Sequence, residues 1–202
     1  MISLKVFKYL HQLKKEVYGT KELNKALQNA INPKNEAKKE KTNMDRIFRI
    51  GDRIMQIKNN YDITWEKVKK GNQFENEIGS GVFNGEIGTI YEIDEKNKAI
   101  EIKFDDDKYA WYEYSELEQI EHSYSITIHK SQGSEFDVVI MCIPPASGML
   151  LTRNLLYTGI TRAKKLLIII GSQKVIDYMI QNVDTKKRNT GLEYKLKKLY
   201  KM

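Results

Sequence analysis

Cysteine is nearly absent from this chain. The single Cys142 excludes an intrachain disulfide framework, and its place inside the apolar run Val138-Val139-Ile140-Met141-Cys142-Ile143 points to a small packed hydrophobe, not a nucleophile or ligand. No apolar segment approaches the roughly 20 residues needed to cross a bilayer. The first residues carry Lys5, Lys8, Lys14 and Lys15 where a signal peptide would have its apolar core, so no membrane association and a cytoplasmic location are expected. Also missing are a Gly-rich loop ending in Gly-Lys-Ser/Thr and an acidic strand end to follow it, which excludes a complete phosphate-binding site from this stretch. Charge is not of one sign: 34 Lys and Arg oppose 27 Asp and Glu. The net +7 makes a polyanionic partner plausible, but the motifs have to carry that case.

What is present is enough apolar sequence for a core. The 202 residues are 41% hydrophobic, sufficient for one domain of ordinary size and a smaller insertion. The stretch 124–171 organises the rest. It holds two polar clusters, His129-Lys130-Ser131-Gln132-Gly133-Ser134-Glu135-Phe136 and Arg153-Asn154-Leu155-Leu156-Tyr157-Thr158-Gly159-Ile160-Thr161-Arg162-Ala163-Lys164. Each is followed by a strand-like apolar run, 138–143 and 166–170, which is the rhythm of a parallel sheet carrying functional loops.

Before that stretch, Phe7, Leu10, Leu13 and Val17 recur at helical spacing and predict a helix over 4–17. Gly19-Thr20 then starts a second helix with the stripe Leu23, Ala26, Leu27, Ala30 and Ile31, which Asn32-Pro33 ends. The Lys- and Glu-rich residues 34–45 have no apolar period and read as a solvated connector. Residues 48–62 alternate like strands around a Gly51-Asp52 turn, with Asn60 and Tyr61 as candidate nucleic-acid contacts beside the simpler reading of a turn. Residues 63–81 read as an irregular excursion. From Val82 the pattern is all β, with hairpin turns at 94–98 and 105–108. The triplet Asp105-Asp106-Asp107 lacks the spacing of a calcium loop and reads as a solvated turn, so no metal site is assigned. Tyr109, Trp111, Tyr112 and Tyr114 form an aromatic strand that could stack bases, although half of an alternating strand must face a core.

The string 126–136 resembles motif V, and 156–164 motif VI, of the carboxy-terminal motor domain of superfamily 1 helicases of the RecD/TraA type. Residues 19–28 resemble an early helix of that domain. In place of the family's motif IV the chain has only 9–15, which matches it poorly, so no nucleotide-contacting arginine is assigned there. The resemblance implies an α/β fold, a RecA-like parallel-sheet lobe with an inserted small all-β, SH3-like barrel. Residues 1–47 and 121–202 would form the discontinuous lobe and 48–120 the barrel. It implies the C-terminal fragment of an ATP-dependent DNA helicase or translocase that acts in DNA repair and recombination.

Within that resemblance, Thr127, His129 and Lys130 would face single-stranded DNA, and Gly133 and Glu135 the nucleotide. Glycine allows close backbone approach, and a carboxylate can accept from a ribose hydroxyl. Arg162 would be the arginine finger, because a guanidinium is always charged and planar. Arg153 could assist with phosphate. ATP and Mg2+ would be shared with the first motor lobe of the same parent chain, which would hold the magnesium ligands; the fragment alone is expected to be inactive. Other recombination or exonuclease subunits are further expected partners. Two competing readings are a non-catalytic nucleic-acid-binding or assembly module derived from such a lobe, and a peptide-binding barrel. The last needs an exposed aromatic groove and would be weakened by basic residues, in place of acidic ones, around those aromatics.

Overall fold

The computed structural model describes residues 7–11, 19–67, 77–143, 151–183 and 191–200. Strand β1 (Phe7–His11) and helix α1 (Thr20–Ile31) lead into a hairpin of β2 (Glu40–Asn43) and β3 (Arg46–Arg49). Six strands follow: β4 (Arg53–Gln56), β5 (Asn60–Lys67), β6 (Glu77–Val82), β7 (Ile87–Asp94), β8 (Ala99–Phe104) and β9 (Lys108–Glu113). A 3-10 helix, Tyr114–Gln119, joins them to β10 (Ile120–His122) and β11 (Ser125–Thr127). A 3-10 turn at His129–Ser131 then precedes β12 (Phe136–Ile143), α2 (Arg153–Ile160), β13 (Ala163–Gly171), α3 (Gln173–Gln181) and α4 (Leu192–Tyr200).

Two sheets carry the fold. One is four-stranded in the order β11-β1-β12-β13 with every pairing parallel; the other is seven-stranded, in the order β10-β4-β7-β8-β9-β5-β6, with every pairing antiparallel. The antiparallel core follows from period-two alternation. Along β8 the side chains Ile100, Ile102 and Phe104 point in while Ala99, Glu101 and Lys103 point out, and they meet Ile90, Ile93, Ala110 and Tyr112 from the neighbouring strands. Burying an isoleucine of this kind contributes about 1.5–3 kcal/mol. The parallel lobe has its own core of Ile126, Ile128, Val139, Met141, Ile143, Leu155, Leu156 and Met179. Met55, on β4 of the antiparallel sheet, is packed into that second cluster, so the two sheets are joined by apolar contact.

Three segments differ from the sequence reading. Residues 7–11 are a strand, not part of a helix: the apolar spacing suits either, and pairing between β11 and β12 decides for the strand. The rest of that expected helix, 4–6 and 12–17, lies outside the described residues. Within the expected connector, 40–43 form β2, whose Glu40 stands opposite Arg49 and accepts from its Nε at 3.0 Å. The expected excursion 63–81 contains most of the β5–β6 hairpin, although 68–76 lie outside the described residues. Both segments escape a periodicity reading because neither strand has a continuously buried face, so nothing selects an apolar residue at every second position. The expected turns are present: Asp94 Oδ1 accepts from the amides of Lys96 and Asn97, with Lys98 at φ 52°, and Asp107 takes φ 65°. Each member of the Asp triplet faces a base: Arg53 forks onto Asp105, and Lys67 and Lys103 pair with Asp106 and Asp107. Cys142 is half-buried, and burial pushes its thiol up, away from reactivity.

Candidate functional site

β11 delivers the first polar cluster to one end of the parallel sheet. Beyond Thr127, Ser131 is fully buried and its hydroxyl donates to the Ile128 carbonyl at 2.6 Å, while the Lys130 amide donates to Thr127 Oγ1 at 3.3 Å. These bonds close a tight 3-10 turn that leaves His129 exposed. Lys130 does not stand free: its ammonium pairs with Glu121 on β10, the edge strand of the other sheet. Gly133 takes φ +82°, and a side chain there would meet no atom within 4 Å. Conformation therefore favours glycine at that position, and open space lies beside its backbone.

The second cluster is brought in by α2. Thr152 caps the helix by accepting from the Leu155 amide. Asn182 ties its start by accepting from the Arg153 amide at 3.0 Å and donating to the Leu151 carbonyl at 2.7 Å. Gly159 lets the helix lie close on the sheet, since a Cβ there would come 2.5 Å from Met141 Sδ. Just past the helix, the Arg162 guanidinium donates from Nε to the Thr158 carbonyl at 3.1 Å and from Nη2 to Thr161 Oγ1 at 3.1 Å. It also donates from Nη1 to the Ser134 carbonyl at 3.0 Å. The Phe136 amide donates back to the Arg162 carbonyl at 2.8 Å, and Lys164 reaches Glu135 at 3.1 Å.

The fold thus brings Gly133, Ser134, Glu135, Arg162 and Lys164 to one place, although Arg162 lies 28 positions beyond Ser134. A guanidinium has five N–H donors. Three of those on Arg162 are engaged here, which leaves two for a ligand among the described residues. Arg153 is not in this group. It is exposed at the opposite end of α2, about 13 Å away at 1.5 Å per helical residue.

Asn60 and Tyr61 lie on β5, which has no partner in the parallel sheet. Asn60 is committed to architecture: its Oδ1 accepts from the amides of Asp62 and Ile63, and its Nδ2 donates to Gln119 and Glu116. Tyr61 is 66% exposed and meets Phe83 edge-on at 5.6 Å. The two residues line a hollow of about 290 Å³ with Lys58, Asn59, Asp62, Glu118 and Gln119.

A further polar centre went unmarked in the sequence. The expected apolar stripe of α1 is half-buried at Leu23 and Leu27 and exposed at Ala26, Ala30 and Ile31, whereas the buried face is Thr20, Asn24 and Gln28. Asn24 exchanges hydrogen bonds with the Ser125 backbone of β11, donating at 2.8 Å and accepting at 2.7 Å. Gln28 and Asn32 donate to opposite oxygens of Asp52 at 2.6 and 2.7 Å. The Arg49 amide and the Tyr124 hydroxyl add donors at 2.8 and 2.9 Å, and His122 Nε2 lies at 3.2 Å. Asp52 is fully buried. Burial by itself would raise its carboxyl, but hydrogen bonding and charge from His122, with Asn32 and the Arg49 amide, hold it below the usual carboxylate range. Burial first, then the Asp52 charge, pushes the Tyr124 phenol up, so it stays a donor. The polar spacing at 20, 24, 28 and 32 was the available signal.

Comparison with known proteins bears on both sheets. Residues 23–104 match the family described as the ATP-dependent RecD-like DNA helicase SH3 domain, and 122–170 match the UvrD-like helicase C-terminal domain. An uncharacterized protein of Methanocaldococcus jannaschii is 35% identical over 151 residues, 71% of this chain and 12% of that protein. The RecBCD enzyme subunit RecD of Buchnera aphidicola is 37% identical over 103 residues, 50% of this chain and 17% of the subunit. The chain therefore spans less than a fifth of the length of these curated relatives. A crystal structure of the Pif1 helicase from Bacteroides in complex with ADP-AlF3 and ssDNA shares the fold. Its TM-score is 0.50 at 16% identity, over 96% of this chain and 45% of that one. Two helicase-domain matches in sequence order, one for each sheet, and a RecD relative across half the chain make this chain similar to the carboxy-terminal region of RecD-type helicases.

Proposed function

We propose that this chain is the second motor lobe of an ATP-dependent DNA helicase or translocase, residues 1–47 and 121–202, with 48–120 inserted as its barrel. The observation that carries the reading is the bond from Arg162 Nη1 to the Ser134 carbonyl, which fastens one polar cluster to the other and holds a guanidinium with two unengaged N–H groups against the loop that carries Gly133 and Glu135. Such a fork suits charge that develops on a transferring phosphoryl group, and half-exposed loops suit a site completed by another lobe. ATP fits these residues: Gly133 offers an open backbone approach, and Glu135 is exposed, so its bond to Lys164 can yield to a ribose hydroxyl. No group of three His, Cys, Asp or Glu among the described residues could hold a metal, so these residues offer no all-protein magnesium cage. The magnesium ligands belong to the first lobe in this reading.

Thr127, His129 and Lys130 serve single-stranded DNA by contacting phosphate and sugar, with Tyr61 on the barrel as a more distant contact. The RecD relative, named as a RecBCD enzyme subunit, supports recombination or exonuclease subunits as partners; the cytoplasm is the proposed place of action. The test is reconstitution. The isolated chain should hydrolyse ATP no faster than a blank, and joining it to a phosphate-loop lobe should restore DNA-stimulated turnover. Turnover by the isolated chain would sink the half-site reading.

A further inference from the structure

The outer face of the antiparallel sheet has a character that the reading above leaves unused. Alternation along β7, β8 and β9 turns Ile90, Ile102 and Tyr112 inward and leaves Tyr91, Tyr109 and Trp111 outside. Tyr91 is 57% and Trp111 43% exposed, and Tyr91 meets the half-buried Tyr109 edge-on at 5.4 Å. Tyr91 sits where the β7–β8 register shifts, the kind of bulge that re-aims a side chain out of the pleat. Two cross-strand rows of the surface are fixed by register. Trp111, Glu101 and Glu92 form one cross-strand row, and Tyr109 and Lys103 form the next.

The charge of this face runs against that of the molecule. The chain as a whole is +7, yet Glu92 and Glu101 stand side by side with no ion-pair partner among the described residues. Burial first, then the negative charges of Glu92 and Glu66, pushes the Glu101 carboxyl up. A nucleic-acid phosphate approaching here would add to that repulsion, whereas a cation would relieve it. The aromatic rings also accept cations: Lys103 Nζ already lies 5.3 Å from the Tyr109 centroid. Tyr61 and Phe83 form a separate exposed aromatic pair, beside a hollow lined by Lys58, Asp62 and Glu118 in which the Lys58 ammonium is already paired with Glu118.

We propose that the face formed by Tyr91, Tyr109 and Trp111 is a docking surface for an extended cationic segment of a partner protein. A Lys or Arg of that segment seats against Glu92 and Glu101, and flanking prolyl or aliphatic residues lie on the aromatic rings. A preformed extended peptide loses little entropy on docking to such rings, and the carboxylates select the sign of its charge. The inference stands on this face alone and does not require the helicase reading.

The experiment uses the whole chain and three probes: a synthetic repeat of Pro-Pro-Arg, its Pro-Pro-Glu counterpart, and an oligothymidylate. Titration should give saturable quenching of tryptophan fluorescence and amide shifts at Tyr91, Glu101 and Trp111 with the arginine peptide only. Trp111→Ala should weaken that binding roughly 10-fold or more, as loss of a central aromatic anchor does. The double change Glu92→Gln and Glu101→Gln should weaken it and flatten its salt dependence, with the melting temperature held or raised because it removes a like-charge contact. Absence of saturable binding, binding untouched by Trp111→Ala, or equal binding of the glutamate peptide would overturn the proposal. Displacement of the arginine peptide from these amides by oligothymidylate would overturn it in favour of a nucleic-acid surface.

Discussion

Asp52 and Arg162 are both charged, both joined to several elements, and put to opposite uses. Five donors converge on the two oxygens of a carboxylate with no exposed surface, so Asp52 has no capacity left for a ligand. Arg162 is half-exposed, spends three donors on groups of its own chain and keeps two. A buried polar network with every group satisfied fixes one arrangement of its elements. A charged group that is held but not saturated is positioned in advance for something else. The same sequence chemistry thus gives a saturated joint between α1, the β2–β3 hairpin and the β10–β11 segment in one place and a partly engaged guanidinium, the proposed reaction surface, in the other.

That contrast can be broken by mutation, and the largest effect should come from the unsaturated side. In a parent protein with its phosphate-loop lobe, Arg162→Ala should lower kcat by roughly 10³-fold or more with much less change in nucleotide affinity, since a finger acts on charge present only in the transition state. Arg162→Lys should restore little, because an ammonium lacks the planar fork. Parental turnover by Arg162→Ala under saturating DNA would make the arginine structural.

At the saturated side the loss should be of stability. Asp52→Ala strands the donors of Gln28, Asn32, Tyr124 and the Arg49 amide, and should cost about 3–5 kcal/mol in denaturant unfolding, the range for breaking a buried charged network. A midpoint equal to that of the parent would show that the joint can relax around the missing carboxylate. Per folded molecule, Asp52→Ala should leave single-stranded DNA affinity nearly unchanged.

Acid titration sharpens the same point with a smaller effect. The Asp52 carboxyl is held below its usual range when folded, so its stabilisation is complete above the unfolded value of about 3.9. It should be lost as pH falls from there through the lower folded value. Asp52→Asn should remove this part of the acid dependence; an unchanged acid limb in that variant would assign it to other carboxylates. The smallest change is expected at Lys130. If it contacts one phosphate, Lys130→Ala should reduce the slope of log affinity against log salt for oligothymidylate by about 1, with no sequence preference altered. A slope equal to the parent's would leave Lys130 only its bond to Glu121.

The sequence alone determined the fold class, both strands of the parallel lobe that follow the polar clusters, and the all-β character after Val82: β12 and β8 carry the alternation that burial of one face imposes, and β13 is marked by its continuous apolar run although none of its side chains is fully buried. Gly133, Glu135 and Arg162 were legible as types, since their chemistry is carried by short strings. Three features were decided only by tertiary structure. Residues 7–11 became a strand because two partners far along the chain were waiting for it. Helix α1 turned its polar side inward because the backbone of β11 and the carboxylate of Asp52 take donors there; the polar spacing at 20, 24 and 28 marks that face but does not say that it is the buried one. The joining of Arg162 to Ser134, on which the site depends, is a contact across 28 positions. Helical and strand spacing describe a residue's own element, and neither says which loop will lie opposite.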